Sequence, residues 1–216
     1  MESIIQTITV IALPVVFAIT LHEAAHGYAA RYFGDPTAYL AGRISLNPLR
    51  HIDPIGTVAV PLFLLLSSKL LGGAGFLFGW AKPVPVNWSR LRRPKQDILW
   101  VALAGPAANF VMALFWTFFL KGVGIFGVSA MGFWGQMAIA GIQINIILMV
   151  FNLLPLPPLD GGRIAYSLLP PKWAEPYARI EPYGMLILLL LLFSGLLWQV
   201  LQPIIWIFYG FFSWFL

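Results

Sequence analysis

Four stretches of this chain, residues 4–33, 98–120, 131–154 and 184–216, are apolar over lengths that reach or exceed the roughly 20 residues an α-helix needs to cross a bilayer. Inside lipid every backbone N–H and C=O must be paired within the protein, which leaves helices or a closed barrel. The runs are continuous and lack the two-residue alternation of barrel strands, so the expected fold is all-α and polytopic. Composition agrees: 10% of the residues are charged and 60% hydrophobic, where a soluble domain carries about a quarter charged. We expect one integral membrane domain over residues 1–216, with a core at 4–170 and an apolar helical segment at 184–216. About five to six transmembrane or re-entrant helices would fill it. With cysteine absent, disulfides and thiolate ligands are excluded. The net charge of +5 in so apolar a chain reports cytoplasmic loops rather than nucleic-acid binding. The first run is not expected to be a cleaved signal peptide, because Glu2 is its only early charge and a histidine motif stands where a cleavage site would be.

That motif is His22-Glu23-Ala24-Ala25-His26, of the form H-E-x-x-H. On a helix, residues four apart share a face, so both imidazoles can point at one metal ion. Glu23, next to the first histidine, can reach a water molecule as a general base. His22 lies eighteen helical steps from Ile4, about 27 Å, which puts it inside a hydrocarbon core of roughly 30 Å, near one face. Two satisfied helix histidines at a membrane edge are the bland alternative, but a histidine pair with an acid at this depth has no packing rationale. A hydrolytic zinc site needs a third protein ligand and an open fourth position.

Residues 34–54 are polar, with turn signals at Gly34-Asp35-Pro36 and Asn47-Pro48. Between these turns Tyr39–Leu46 alternates loosely and fits either a short membrane-edge strand or an interfacial loop. Val84-Pro85-Val86 is a second extended candidate, so a small β element is one reading of residues 35–50 and 82–87. Residues 55–78 are apolar but broken by Pro61, Lys69 and Gly72-Gly73, and both flanks are basic; a re-entrant or hairpin insertion is expected rather than a crossing. The small residues around Gly105 would let another helix approach closely, and Asn109 beside them reads as a packing or capping group. The final run is either one long tilted helix or two pieces divided near Gln202-Pro203. Of the 13 Lys and Arg, 11 fall in loops that this arrangement puts on one side, leaving Lys69 and Lys121 elsewhere. By the positive-inside bias that side is cytoplasmic in a cell membrane, and the N-terminus lies outside.

Three prolines within residues 155–158 unwind the chain just before Asp160. A carboxylate near mid-bilayer costs about 2.5–3.5 kcal/mol, which a divalent cation would offset, so Asp160 is the natural third ligand. Asp35, Asp53 and Asp97 sit in polar loops, and His51 lies in a loop beside Arg50 and Asp53. HEAAH on a membrane helix, followed over a hundred residues later by NLLPLPPLDGGR, resembles the site-2 protease family of intramembrane zinc metalloproteases. GDPTAYLAGRISLNPLRHIDPIGT, FGWAKPVPVN and ALAGPAANF resemble its compact bacterial and archaeal members, and no PDZ-like insertion separates the spans. The resemblance implies one zinc ion held by His22, His26 and Asp160, with Glu23 as base and then acid, acting on a transmembrane segment of another protein within the lipid bilayer. It also implies a role for Asn152 near the scissile carbonyl; read from the residue alone, its amide can serve an oxyanion or tie down the proline segment equally well. The alternative class is a zinc or proton transporter using the same His/Asp cluster. Transporters commonly show two similar halves, no repeat is visible here, and a Glu beside the first His serves hydrolysis rather than transport. Oligomeric state is not legible in the sequence.

Overall fold

The computed structural model describes residues 2–60, 63, 81–127 and 129–216. Its helices are α1 (Glu2–Tyr32), α2 (Thr37–Leu40), α3 (Pro94–Ile125), α4 (Phe133–Asn152), α5 (Asp160–Leu168), α6 (Pro171–Ala178), α7 (Glu181–Phe193) and α8 (Leu196–Ser213). Among the described residues, four stretches are long and apolar enough to cross a membrane: Thr9–Tyr32 of α1, then α3, α4 and α8. A fifth span results if α6 and α7, bent by 66° at their junction, count as one. The chain is an all-α polytopic protein, as its apolar runs require.

Packing begins from a single seam on α1. Val10, Pro14, Ala18, His22, His26 and Ala30, each four residues from the next, are all buried. A ridge at this spacing fits the groove of a facing helix, and here the facing helix is α3. Small residues at the contact allow close approach, which matters most where lipid removes the hydrophobic drive to associate. Gly105 of α3 lies directly over the histidines: a Cβ there would stand 2.6 Å from His22 Cε1. On the far side of α3, Gly141 of α4 opens a slot for Trp116, where a Cβ would meet Trp116 Cδ1 at 2.6 Å. Trp116, Met137, Ile142, Ile146 and Met149 form the core between α3 and α4, and α8 closes it with Leu197, Leu201, Ile205 and Phe212.

The polar ends of α1 and α3 are clasped together. Asp35 is fully buried; its carboxylate accepts from the Thr37 N–H at 3.0 Å and from the Asn87 N–H at 2.6 Å. The Arg92 N–H donates to Phe33 O at 3.0 Å. This clasp corrects the expected β element. Among the described residues there is no strand. The Asp35 side chain offers the Thr37 N–H the acceptor that starts a helical turn, and Gly42, at φ +63°, ends the turn in a left-handed conformation. Residues 81–87 are irregular, and Pro83 and Pro85 cannot donate to a ladder.

The last apolar run is two helices, but the break is not at Gln202-Pro203. It falls at Gly195, whose φ of +76° suits glycine, while Pro203 is accommodated inside α8. Most of the expected re-entrant piece, 55–78, lies outside the described residues. Its first turn, Pro54–Ala59, is a π-helix capped by Asp53, whose Oδ1 accepts from the N–H groups of Ile55 and Gly56.

Candidate metal centre

The seam of α1 delivers His22 and His26 to one spot, both buried. The third group arrives from a distant part of the chain. After α4 ends, residues 153–159 run as a non-helical stretch because their prolines cannot continue the helix. The stretch lies flat against the first turn of α5: a Cβ on Gly162 would stand 2.7 Å from Pro157 Cα, so only glycine permits the contact. Asp160 is therefore the first residue of α5, where a negative charge also suits the helix N-terminus. The helix is fixed at its other end by the Ser167 hydroxyl, which donates to Lys95 O at 2.8 Å. An ion pair between Arg163 and Glu181 ties it to α7.

The outcome is a compact triad. His22 Nε2 lies 3.2 Å from Asp160 Oδ2, His26 Nε2 lies 3.3 Å from Asp160 Oδ1, and the two Nε2 atoms are 3.1 Å apart. One ligating atom from each residue falls within 4.8 Å of the others, and no second such group of three occurs among the described residues. His51 is elsewhere, with Nε2 against Ser45 O at 2.8 Å.

The rest of the network sets which atoms face the centre. Asn145 Nδ2 donates to Gly141 O at 2.8 Å, which leaves its Oδ1 to accept from Asn109 Nδ2 at 3.0 Å. Asn109 Nδ2 also reaches Ala18 O at 3.2 Å, so Asn109 Oδ1 must face His22 Nδ1, at 2.6 Å. An amide oxygen can only accept, and so His22 Nδ1 carries the proton. His26 Nδ1 likewise donates to Val101 O at 2.8 Å. In the neutral imidazoles both Nε2 atoms then present lone pairs to a carboxylate. Asp160 Oδ2 is buried and receives no hydrogen bond. Three acceptors held this close repel one another unless a cation sits among them, and two imidazoles with one carboxylate are the donor set of a divalent metal with a catalytic opening.

Glu23 lies on the same turn of α1, and its Oε2 accepts from the Val84 N–H at 2.7 Å. Asn152, at the end of α4, donates to Leu148 O of its own helix at 2.9 Å. The structure thus brings His22, His26 and Asp160 together with Glu23 alongside, and it leaves Asn152 hydrogen-bonded to its own helix. Sequence reading passed over Asn109 as a positioning group. Its signal was present: two asparagines, Asn109 and Asn145, sit in the middle of otherwise apolar spans, and each is fully buried.

Comparison with known proteins adds an independent line. A family model described as "Peptidase family M50" matches residues 123–195, the part of the chain that carries Asp160. The candidate zinc metalloprotease YwhC of Bacillus subtilis is 36% identical over 199 residues, covering 90% of this chain and 85% of that protein. The candidate zinc metalloprotease Rip2 of Mycolicibacterium smegmatis is 31% identical over 196 residues, covering 90% of this chain and 70% of that protein. An archaeal candidate zinc metalloprotease, MJ0611 of Methanocaldococcus jannaschii, is 41% identical over 64 residues, covering 30% of this chain and 31% of that protein. No solved structure matches the chain.

Proposed function

The chain belongs to peptidase family M50, the site-2 proteases, and is an intramembrane zinc metalloprotease; from that premise we propose that His22, His26 and Asp160 hold one zinc ion and that Glu23 is the base. The observation that carries the assignment is the convergence of both Nε2 atoms on the Asp160 carboxylate, at 3.2 and 3.3 Å, with each Nδ1 engaged elsewhere. Zinc bound there supplies Lewis acidity, bringing a water toward a pKa of about 7 and polarising the scissile carbonyl.

The chain's own groups do the rest. Glu23 keeps Oε2 on the Val84 N–H, so Oε1 is the oxygen that takes the proton from water and returns it to the leaving amine. Asn152 is the residue that the resemblance sets beside the scissile carbonyl, and the Nδ2–H now resting on Leu148 O is the donor it would bring. The substrate is a membrane protein, cleaved within a transmembrane segment. A helix has its carbonyls paired internally, so the segment must unwind before attack. The whole chain acts as one domain, with the centre opening toward the cytoplasm and the N-terminus outside, since the basic residues gather in loops at the end of the bundle that carries the site. Metal analysis of the purified chain, together with cleavage of a peptide carrying a transmembrane segment, tests this reading. One zinc per chain and metal-dependent cleavage are expected; a chain that binds no zinc while folded would overturn it.

Asn109→Leu tests the orientation network. The substitution removes the acceptor for His22 Nδ1 and the donor to Asn145 Oδ1. Loss of such a partner typically costs about 10–100-fold in metal affinity. A fall of that size is expected in zinc affinity measured by competition with a chelator.

A further inference from the structure

We infer that Lys82–Val84 is a strap whose Val84 N–H positions the Glu23 carboxylate; the inference rests on the reading of Glu23 as base. Pro83 and Pro85 have no N–H, so Val84 carries the one backbone donor of residues 83–85, and that donor goes to Glu23 Oε2 at 2.7 Å. A residue that precedes proline is steered away from the helical region, which keeps both Lys82 and Val84 extended.

The strap is anchored at every residue. The Lys82 N–H donates to His51 O at 2.9 Å. Arg43 Nη2 donates to Lys82 O at 3.0 Å and Pro83 O at 3.3 Å. The Val84 side chain is buried over Gly27, one turn beyond Glu23, where a Cβ would stand 3.2 Å from Val84 Cγ1 and 2.9 Å from Ile44 Cγ1. Gly27 thus lets the strap lie against α1. A glutamate with three rotatable bonds would otherwise sample several rotamers. Holding one oxygen fixes where the other points, and a misplacement of about 1 Å can cost about 10²-fold in rate. With its donors engaged and two carbonyls taken by Arg43, this stretch works as a support for the base rather than as a free edge for substrate.

The test compares V84P with V84A in the full-length chain. Proline deletes the N–H yet suits an extended run between prolines, whereas alanine keeps the N–H and removes only packing. We expect the kcat of V84P to fall at least about tenfold below that of V84A, with KM within about threefold and equal zinc content. R43A should lower kcat in the same direction, and adding it to V84P should cost little more, because both act through one strap. Equal kcat for V84P and V84A, or a loss carried wholly by KM, overturns the strap. Should V84P fail to fold or to hold zinc, R43A decides, and an unchanged kcat there overturns it. E23Q in the same assay separates the two claims: a fully active E23Q removes the base assignment whatever V84P does, while an inactive E23Q with equal V84P and V84A removes the strap alone.

Discussion

Replacing Glu23 by glutamine is expected to lower kcat by about 10²–10⁴-fold, the range for loss of a positioned general base. The zinc content should stay as it is. One side chain has two separable jobs. Glutamine has the same length, and its amide oxygen can still accept the Val84 N–H that Glu23 Oε2 now receives. The strap and the backbone around α1 therefore stay in place. What disappears is an oxygen able to take a proton from water and pass it to the leaving amine. In barrier height the loss corresponds to about 2.7–5.4 kcal/mol. Parallel measurement of bound zinc and of cleavage checks it. A chain that carries its full zinc and still cleaves at the original rate would take Glu23 out of the chemistry. Zinc uptake into vesicles offers a second check, because a transporter built on the same cluster would tolerate this change.

Local spacing carried most of what the sequence revealed. Two histidines four apart share a helix face by geometry alone, and a carboxylate after a proline run at the end of an apolar span has few other uses, so His22, His26 and Asp160 could be grouped before any coordinates. The transmembrane helices followed from the lengths of the apolar runs for the same reason. Features that depend on contact between remote segments were not legible. Asn109 lies 87 positions from His22, and nothing in its neighbours tells a packing amide from one that fixes an imidazole tautomer. The weak alternation of Tyr39–Leu46 lost to a single buried carboxylate, since Asp35 accepts the Thr37 N–H at the start of a helical turn and reaches across to Asn87 as well. The last run reads as one long helix or as two pieces divided near Gln202-Pro203; the break falls instead at Gly195, where a φ of +76° suits a residue without a Cβ, and Pro203 stays inside α8. From the sequence, Val84 reads only as part of a possible edge, because a donor's partner cannot be read from the donor.

Asp160→Ala is expected to weaken zinc binding by about 3–5 kcal/mol, or roughly two to four powers of ten, the cost of removing one partner from a buried charged set. Two neutral imidazoles would then have to hold a divalent cation with no anion among its ligands. Competition with a chelator of known affinity measures the fall, and cleavage should be lost with the metal at limiting zinc.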